Sequence, residues 1–150
     1  MRIVLTLFAL LLAASPLRAE GLSITVSNAD AVTTVTRLKA AIEKRNMTIV
    51  ATIDHSAAAK GVGLELRPTV VLVFGNPRGG TPVMQCNQAL GIELPMRILV
   101  WQAADSKVNV GFASPREMLA RHNASACTPE VIGSMEKLLA SLAAEAAGKQ

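Results

Sequence analysis

Thr69 to Phe74 reads Thr-Val-Val-Leu-Val-Phe, six residues without a charge and four of them β-branched. A run that short and that apolar predicts a strand at the centre of a sheet, covered on both faces. The flanking sequence supplies partners for it. Leu22 to Val26 alternates as a first strand. Met47 to Ile53 alternates again and places Met47, Ile49, Ala51 and Ile53 on one face. Leu94 to Gln102 and Lys107 to Ala113 flank Ala103-Ala104-Asp105-Ser106 as a hairpin.

Helical patterns lie between and after these strands. Ser27 and Asp30 have the spacing of a capping box, and a helix is expected from there to Arg45. Its buried stripe would be Val32, Val35, Leu38 and Ile42, with Asn46 as a left-handed stop. Ser56 to Gly63 can make one or two helical turns. Thr81-Pro82 is expected to open a short helix ending at Gly91, and Ser114-Pro115-Arg116-Glu117 another that runs to His122. Thr128-Pro129 starts the last helix, with Val131, Ile132, Met135, Leu138, Leu139 and Leu142 on its apolar side. The alanine-rich end from Ala143 is expected to fray.

The order β-α-β-(α)-β-(α)-β-β-α-α lacks the even alternation of a doubly wound parallel sheet. The expected fold is α+β, with an antiparallel or mixed sheet and helices packed on one face.

Ahead of this domain, Met1-Arg2 precedes the apolar run Ile3 to Ala14, and Ser15-Pro16 breaks it before Leu17-Arg18-Ala19. The pattern is that of a secretory signal with a cut after Ala19. Its apolar stretch is shorter than the roughly 20 residues of a membrane span. Loss of Arg2 and Arg18 would leave 13 basic against 11 acidic side chains in a periplasmic or secreted domain of residues 20–150. No further hydrophobic span follows, so no membrane association is expected after cleavage. The small net charge, three Phe, one Trp and no Tyr disfavour nucleic acid as a partner.

Two stretches taken together resemble a known bacterial family. One is Thr52-Ile53-Asp54-His55 followed by Gly63-Leu64-Glu65-Leu66-Arg67-Pro68-Thr69. The other comprises Phe74-Gly75-Asn76-Pro77, Gly80-Thr81-Pro82-Val83-Met84-Gln85, Leu94-Pro95 and Val100-Trp101. They are similar to the domain of unknown function 302 family, over about residues 22–142. The resemblance implies a TBP-like β-α-β4-α unit with extra short helices, and a homodimer. It implies no activity.

Candidate chemistry is sparse. The turn from Gly75 to Thr81 follows a strand and opens a helix, where backbone N–H groups and Arg78 can hold a small anion or other small ligand. Asn76, Arg78, Gly80 and Thr81 would line such a site, with His55 and Gln85 near it. The lysine of a phosphate-binding loop is missing. His55, Met84 and His122 are candidate ligands for a soft metal such as copper, although no spacing brings them together. Cys86 and Cys127 either form one disulfide in an oxidising compartment or stay as two buried or capped thiols; the Cys-x-x-Cys redox motif is absent. No nucleophile elbow or paired carboxylate supports catalysis. The leading expectation is an exported, non-catalytic small-ligand-binding or accessory domain without a cofactor. The alternative is a cell-envelope protein that binds copper or haem or serves redox chemistry.

Overall fold

The computed structural model describes residues 21–149. The expected leader lies outside them. Its strands are β1 (Leu22–Val26), β2 (Thr48–Asp54), β3 (Thr69–Gly75), β4 (Met96–Gln102) and β5 (Val108–Ala113). Its helices are α1 (Ala31–Lys44), α2 (His55–Gly61), α3 (Pro77–Cys86), α4 (Pro115–Arg121) and α5 (Pro129–Ala146), with a 3-10 turn at Gln88–Ile92. The strands form one sheet in the order β1-β5-β4-β3-β2, antiparallel at every pairing. α1 and α5 pack on each other and on one face of this sheet. The fold is therefore α+β, a β-α-β4-α unit with additional short helices.

Between the sheet and these two helices lies the main core. Leu38 and Ile42 of α1 meet Leu72, Phe74, Ile98, Val100 and Val110 of the sheet and Leu139 and Leu142 of α5. Ala143, Ala146 and Ala147 are also buried in it, so the end of α5 is packed rather than frayed. Alanine suits that place because a small side chain lets the last turn lie close to its neighbours. The Asn28 N–H donates to the Ala147 carbonyl at 3.1 Å, and Gly148 turns the chain away at φ 72°. A second, smaller core gathers Val83, Leu90, Met118, Leu119, Ala124, Cys127, Ile132 and Met135.

Local detail departs from expectation in several places. The cap of α1 is Asp30, whose carboxylate accepts the Thr33 N–H at 2.7 Å. Ser27 instead bonds the Ala29 N–H and the Thr34 hydroxyl. The buried stripe is Ala31, Thr34, Leu38, Ala41 and Ile42, while Val32 is 78% exposed. Thr34 can lie inside because its hydroxyl donates to the Asp30 carbonyl at 2.7 Å, as one helical turn permits. In β2 the register shifts between Ile49 and Ala51. That bulge turns Ile49 toward the helices and Ala51 and Ile53 to the opposite face, breaking the single predicted stripe. α3 begins five residues before Thr81-Pro82, because Asn76 caps it by accepting the Arg78 N–H at 2.9 Å. Ser114 and Thr128 precede α4 and α5 as expected but make no side-chain cap bond.

A further departure concerns β3. Leu72 and Phe74 are fully buried beneath the helices, but Val71 and Val73 point to the other face, which among the described residues no helix covers. Strand register places Leu22, Ile24 and Val26 of β1, Gly111 of β5, Leu99 and Trp101 of β4, and Ile53 of β2 on that face too. Ile24, Val26 and Ile53 are each 43% exposed. Trp101 lies flat across Gly111, where a Cβ would stand 2.9 Å from the indole ring.

Candidate functional groove

The end of the sheet where β3 and α3 meet opens into a groove of about 560 Å³. Its floor comes from the start of β2 (Met47, Thr48) and the approach to β4 (Leu94, Pro95, Met96). One wall is α3, with Gly80, Thr81 and Met84. The opposite wall is α5, with Val131, Ser134, Met135 and Leu138. Four of the five methionines among the described residues line this space. No charged side chain does. The size is that of a small-molecule site, and flexible thioethers let such a lining adapt to an irregular apolar shape.

The sequence of the α3 wall explains its closeness to the floor. Gly80 has only hydrogen where a Cβ would stand 3.6 Å from Leu94 Cδ1, and a Cβ at Gly91 would stand 3.5 Å from the Met84 sulfur. Cys86, at the end of α3, is joined by a disulfide to Cys127, which precedes α5. The bond ties one wall of the groove to the root of the other.

The predicted ligand residues are divided by this geometry. Asn76, Gly80 and Thr81 line the groove; Arg78 and Gln85 are exposed and stand outside its lining. The backbone donors at the start of α3 are engaged within the turn. Arg78 N–H bonds the Asn76 side chain, and the Gly79 and Gly80 N–H groups bond the Asn76 carbonyl at 3.0 and 3.2 Å. His55 opens α2 at the far end of β2, five residues past Val50 of the lining, or about 17 Å at a strand's rise. It is exposed. Nearby Asp54 caps α2; bonds from the Ser56 hydroxyl and the Ala57 N–H hold its carboxyl below the usual aspartate range.

His122 sits elsewhere again. Its Nε2 lies 3.1 Å from Glu93 Oε1, while Arg121 donates twice to the same carboxylate at 3.2 and 3.0 Å. Arg121 is the largest cause of a lowered Glu93 pKa, with His122 adding to it against the opposing effect of burial. So His55, Met84 and His122 stand at three separate places. Among the described residues no three of His, Cys, Asp and Glu cluster as metal ligands.

The Glu93 cluster carries a pH prediction. A depressed folded pKa gives stability that is full above the ordinary glutamate value of 4.5 and is lost as pH falls through the folded value. Glu93→Gln should cost about 1 kcal/mol at neutral pH, discounted because Arg121 is half exposed. The gap between the two proteins should close in acid, as followed by urea unfolding across pH. A gap that stays constant in acid rules out the charge as its source.

Met47, Leu94, Met96, Met135 and Leu138 were absent from the sequence-based site. Each reads alone as a core residue of its own element, and only the meeting of five chain segments makes them a lining.

Three comparisons place the chain among known proteins. A family model described as domain of unknown function DUF302 matches residues 22–142. The crystal structure of an uncharacterized conserved DUF302 protein from Bacillus stearothermophilus aligns with a TM-score of 0.77 at 21% identity, covering 85% of this chain and 99% of that one. That likeness is one of fold. Fluoride-specific ion channel FluC 1 of Brucella suis biovar 1 (strain 1330) is 35% identical over 104 residues, 69% of this chain and 41% of its own length. FluC 2 of Brucella melitensis biotype 1 is 35% identical over the same number of residues, 38% of its length. The chain spans about two-fifths of the length of these curated relatives. With a family match that runs from the first strand into the last helix, this chain belongs to the DUF302 family, a domain of unknown function.

Proposed function

We propose that the protein is an exported, non-catalytic accessory domain that holds a small, uncharged, largely apolar molecule in the groove between α3 and α5. The observation that carries this reading is the lining: methionine, leucine, valine and proline side chains around about 560 Å³, with polar atoms only at Thr48, Asn76, Thr81, Ser134 and the backbone. An ion bound there would lose its hydration without a countercharge, which is costly. An apolar guest would instead release water from the walls. Export is supported by the disulfide, a bond that persists in oxidising compartments, and by the sequence of residues 1–19. Among the described residues no helix is long and apolar enough to cross a membrane. An accessory role is supported by the relatives named as fluoride-specific channels, whose chains are more than twice as long as the matched stretch.

N-phenylnaphthylamine, a neutral apolar fluorophore, should bind saturably at one per chain. Thr81→Trp, which fills the groove from its exposed rim, should weaken binding at least tenfold and leave the urea midpoint unchanged. Absence of saturable binding sinks this reading. A melting shift with phosphate or fluoride that Arg78→Ala abolishes would establish the anion site in its place.

The working unit is a homodimer joined through the open sheet face. Val71, Val73, Leu99, Trp101 and Ile24 offer an apolar surface with Arg97 as the charge at its end, so two copies can meet without like-charge crowding. It also accounts for an apolar run in β3 that the helices cover on one side only. Sedimentation should give a dimer for the parent and a monomer for Leu99→Glu. A parent that stays monomeric at every concentration refutes the dimer.

A further inference from the structure

We infer that the Cys86–Cys127 disulfide is a redox strap whose reduction releases α3 and dismantles the groove; this rests on the groove being the ligand site. α3 is a weak helix by composition. It carries Gly79, Gly80 and an internal Pro82, which lacks the N–H that would close the turn beneath it. Val83 is its single buried residue. Besides its contact with the 3-10 turn and Leu94, α3 is held by the Asn76 cap at the start, Val83 in the smaller core, and the covalent bond at Cys86. Val83 reaches α5 through Ile132 and Met135 of that core, and the covalent bond is the one tie to α5 that does not depend on apolar packing.

The strap is reachable. Cys86 is exposed, whereas Cys127 is 8% exposed within the smaller core. A dithiol reductant, small molecule or thioredoxin-type protein, can attack Cys86 Sγ as a thiolate. The S–S bond breaks, and the Cys127 sulfur leaves and takes up a proton. The reductant's second thiol then attacks the mixed disulfide, freeing Cys86 as a thiol. Two electrons and two protons pass to the protein, and the reductant ends as a disulfide. Cys127 keeps its place among Ala124, Leu119 and Ile132. Cys86, at the end of a glycine- and proline-bearing helix, does not. Met84 and Thr81 leave with it, and the groove loses a wall while the sheet and its main core stay intact.

The test compares full-length protein before and after dithiothreitol. Expected is a fall of tenfold or more in N-phenylnaphthylamine affinity with the far-ultraviolet circular dichroism of the sheet retained. Amide exchange in α3 should accelerate at least tenfold, while β3 and β4 keep their protection. Cys86→Ser with Cys127→Ser should match the reduced protein without any reductant. Equal affinity in the two redox states, or unchanged α3 protection, overturns the strap. Absence of saturable binding in the oxidised protein is instead a failure of the groove reading, and the exchange measurement then decides by itself whether α3 is released.

Discussion

Phe74→Ala is expected to cost about 4 kcal/mol, the range for removing a buried aromatic ring that leaves a cavity. Phe74 is completely buried, opposite Ile49 of β2 on one side and Met96 of β4 on the other, under the packed helices. Its neighbours are held by strand pairing and cannot collapse into the space. With a urea slope of about 2 kcal/mol per molar, the midpoint should fall by roughly 2 M. Val73→Ala is the control. It lies one residue away on the open face, half-exposed, and should cost about 1 kcal/mol. Equal losses at the two positions, measured at a concentration where the protein is monomeric, would mean that both faces of β3 are buried alike in the single chain, which the fold denies.

That contrast between neighbouring residues was not legible in the sequence. Thr69 to Phe74 announces a central strand, and it is one, paired on both edges. Uniform apolarity does not say what covers each face; here two helices cover one, and among the described residues the other is left open. The order of elements was legible throughout, because each carries its own period or its own Pro, Gly or Asn boundary. Phases were less so. Val32 and Val35 mark an apolar stripe on α1, yet Thr34 takes the buried position because a backbone carbonyl one turn back accepts its hydroxyl. A single inserted residue in β2 reversed the side of Ala51 and Ile53.

The site was half legible for a similar reason. Asn76, Gly80 and Thr81 stand together in the chain, so a local reading finds them. Met47, Met96 and Met135 come from β2, β4 and α5 and converge through tertiary packing alone. The turn's own residues show only part of its surroundings. Their spacing does not show that the Asn76 side chain and carbonyl occupy the N–H groups of Arg78, Gly79 and Gly80, nor that an apolar wall stands behind them.

The second large effect is expected from replacing both cysteines with serine. The bond closes a loop across 41 positions, and chain entropy puts its contribution at about 4 kcal/mol. The loss should be uneven. The main core under α1 and α5 contains neither cysteine, while Cys127 belongs to the smaller one with Val83, Leu90, Met118 and Leu119. That cluster seals short elements: α3, the 3-10 turn and α4. Each is too short to be stable alone, so their stability comes from tertiary contacts and from the tether. In the double variant, amides of α3 and α4 should therefore open at far lower free energy than those of β3 and β4, giving a separate early step in hydrogen exchange. Uniform acceleration across all elements would mean one cooperative unit, with the disulfide acting on the unfolded chain as a whole. An early step confined to α3, the turn and α4 would mark the region around the groove as the part of the molecule least bound to the sheet.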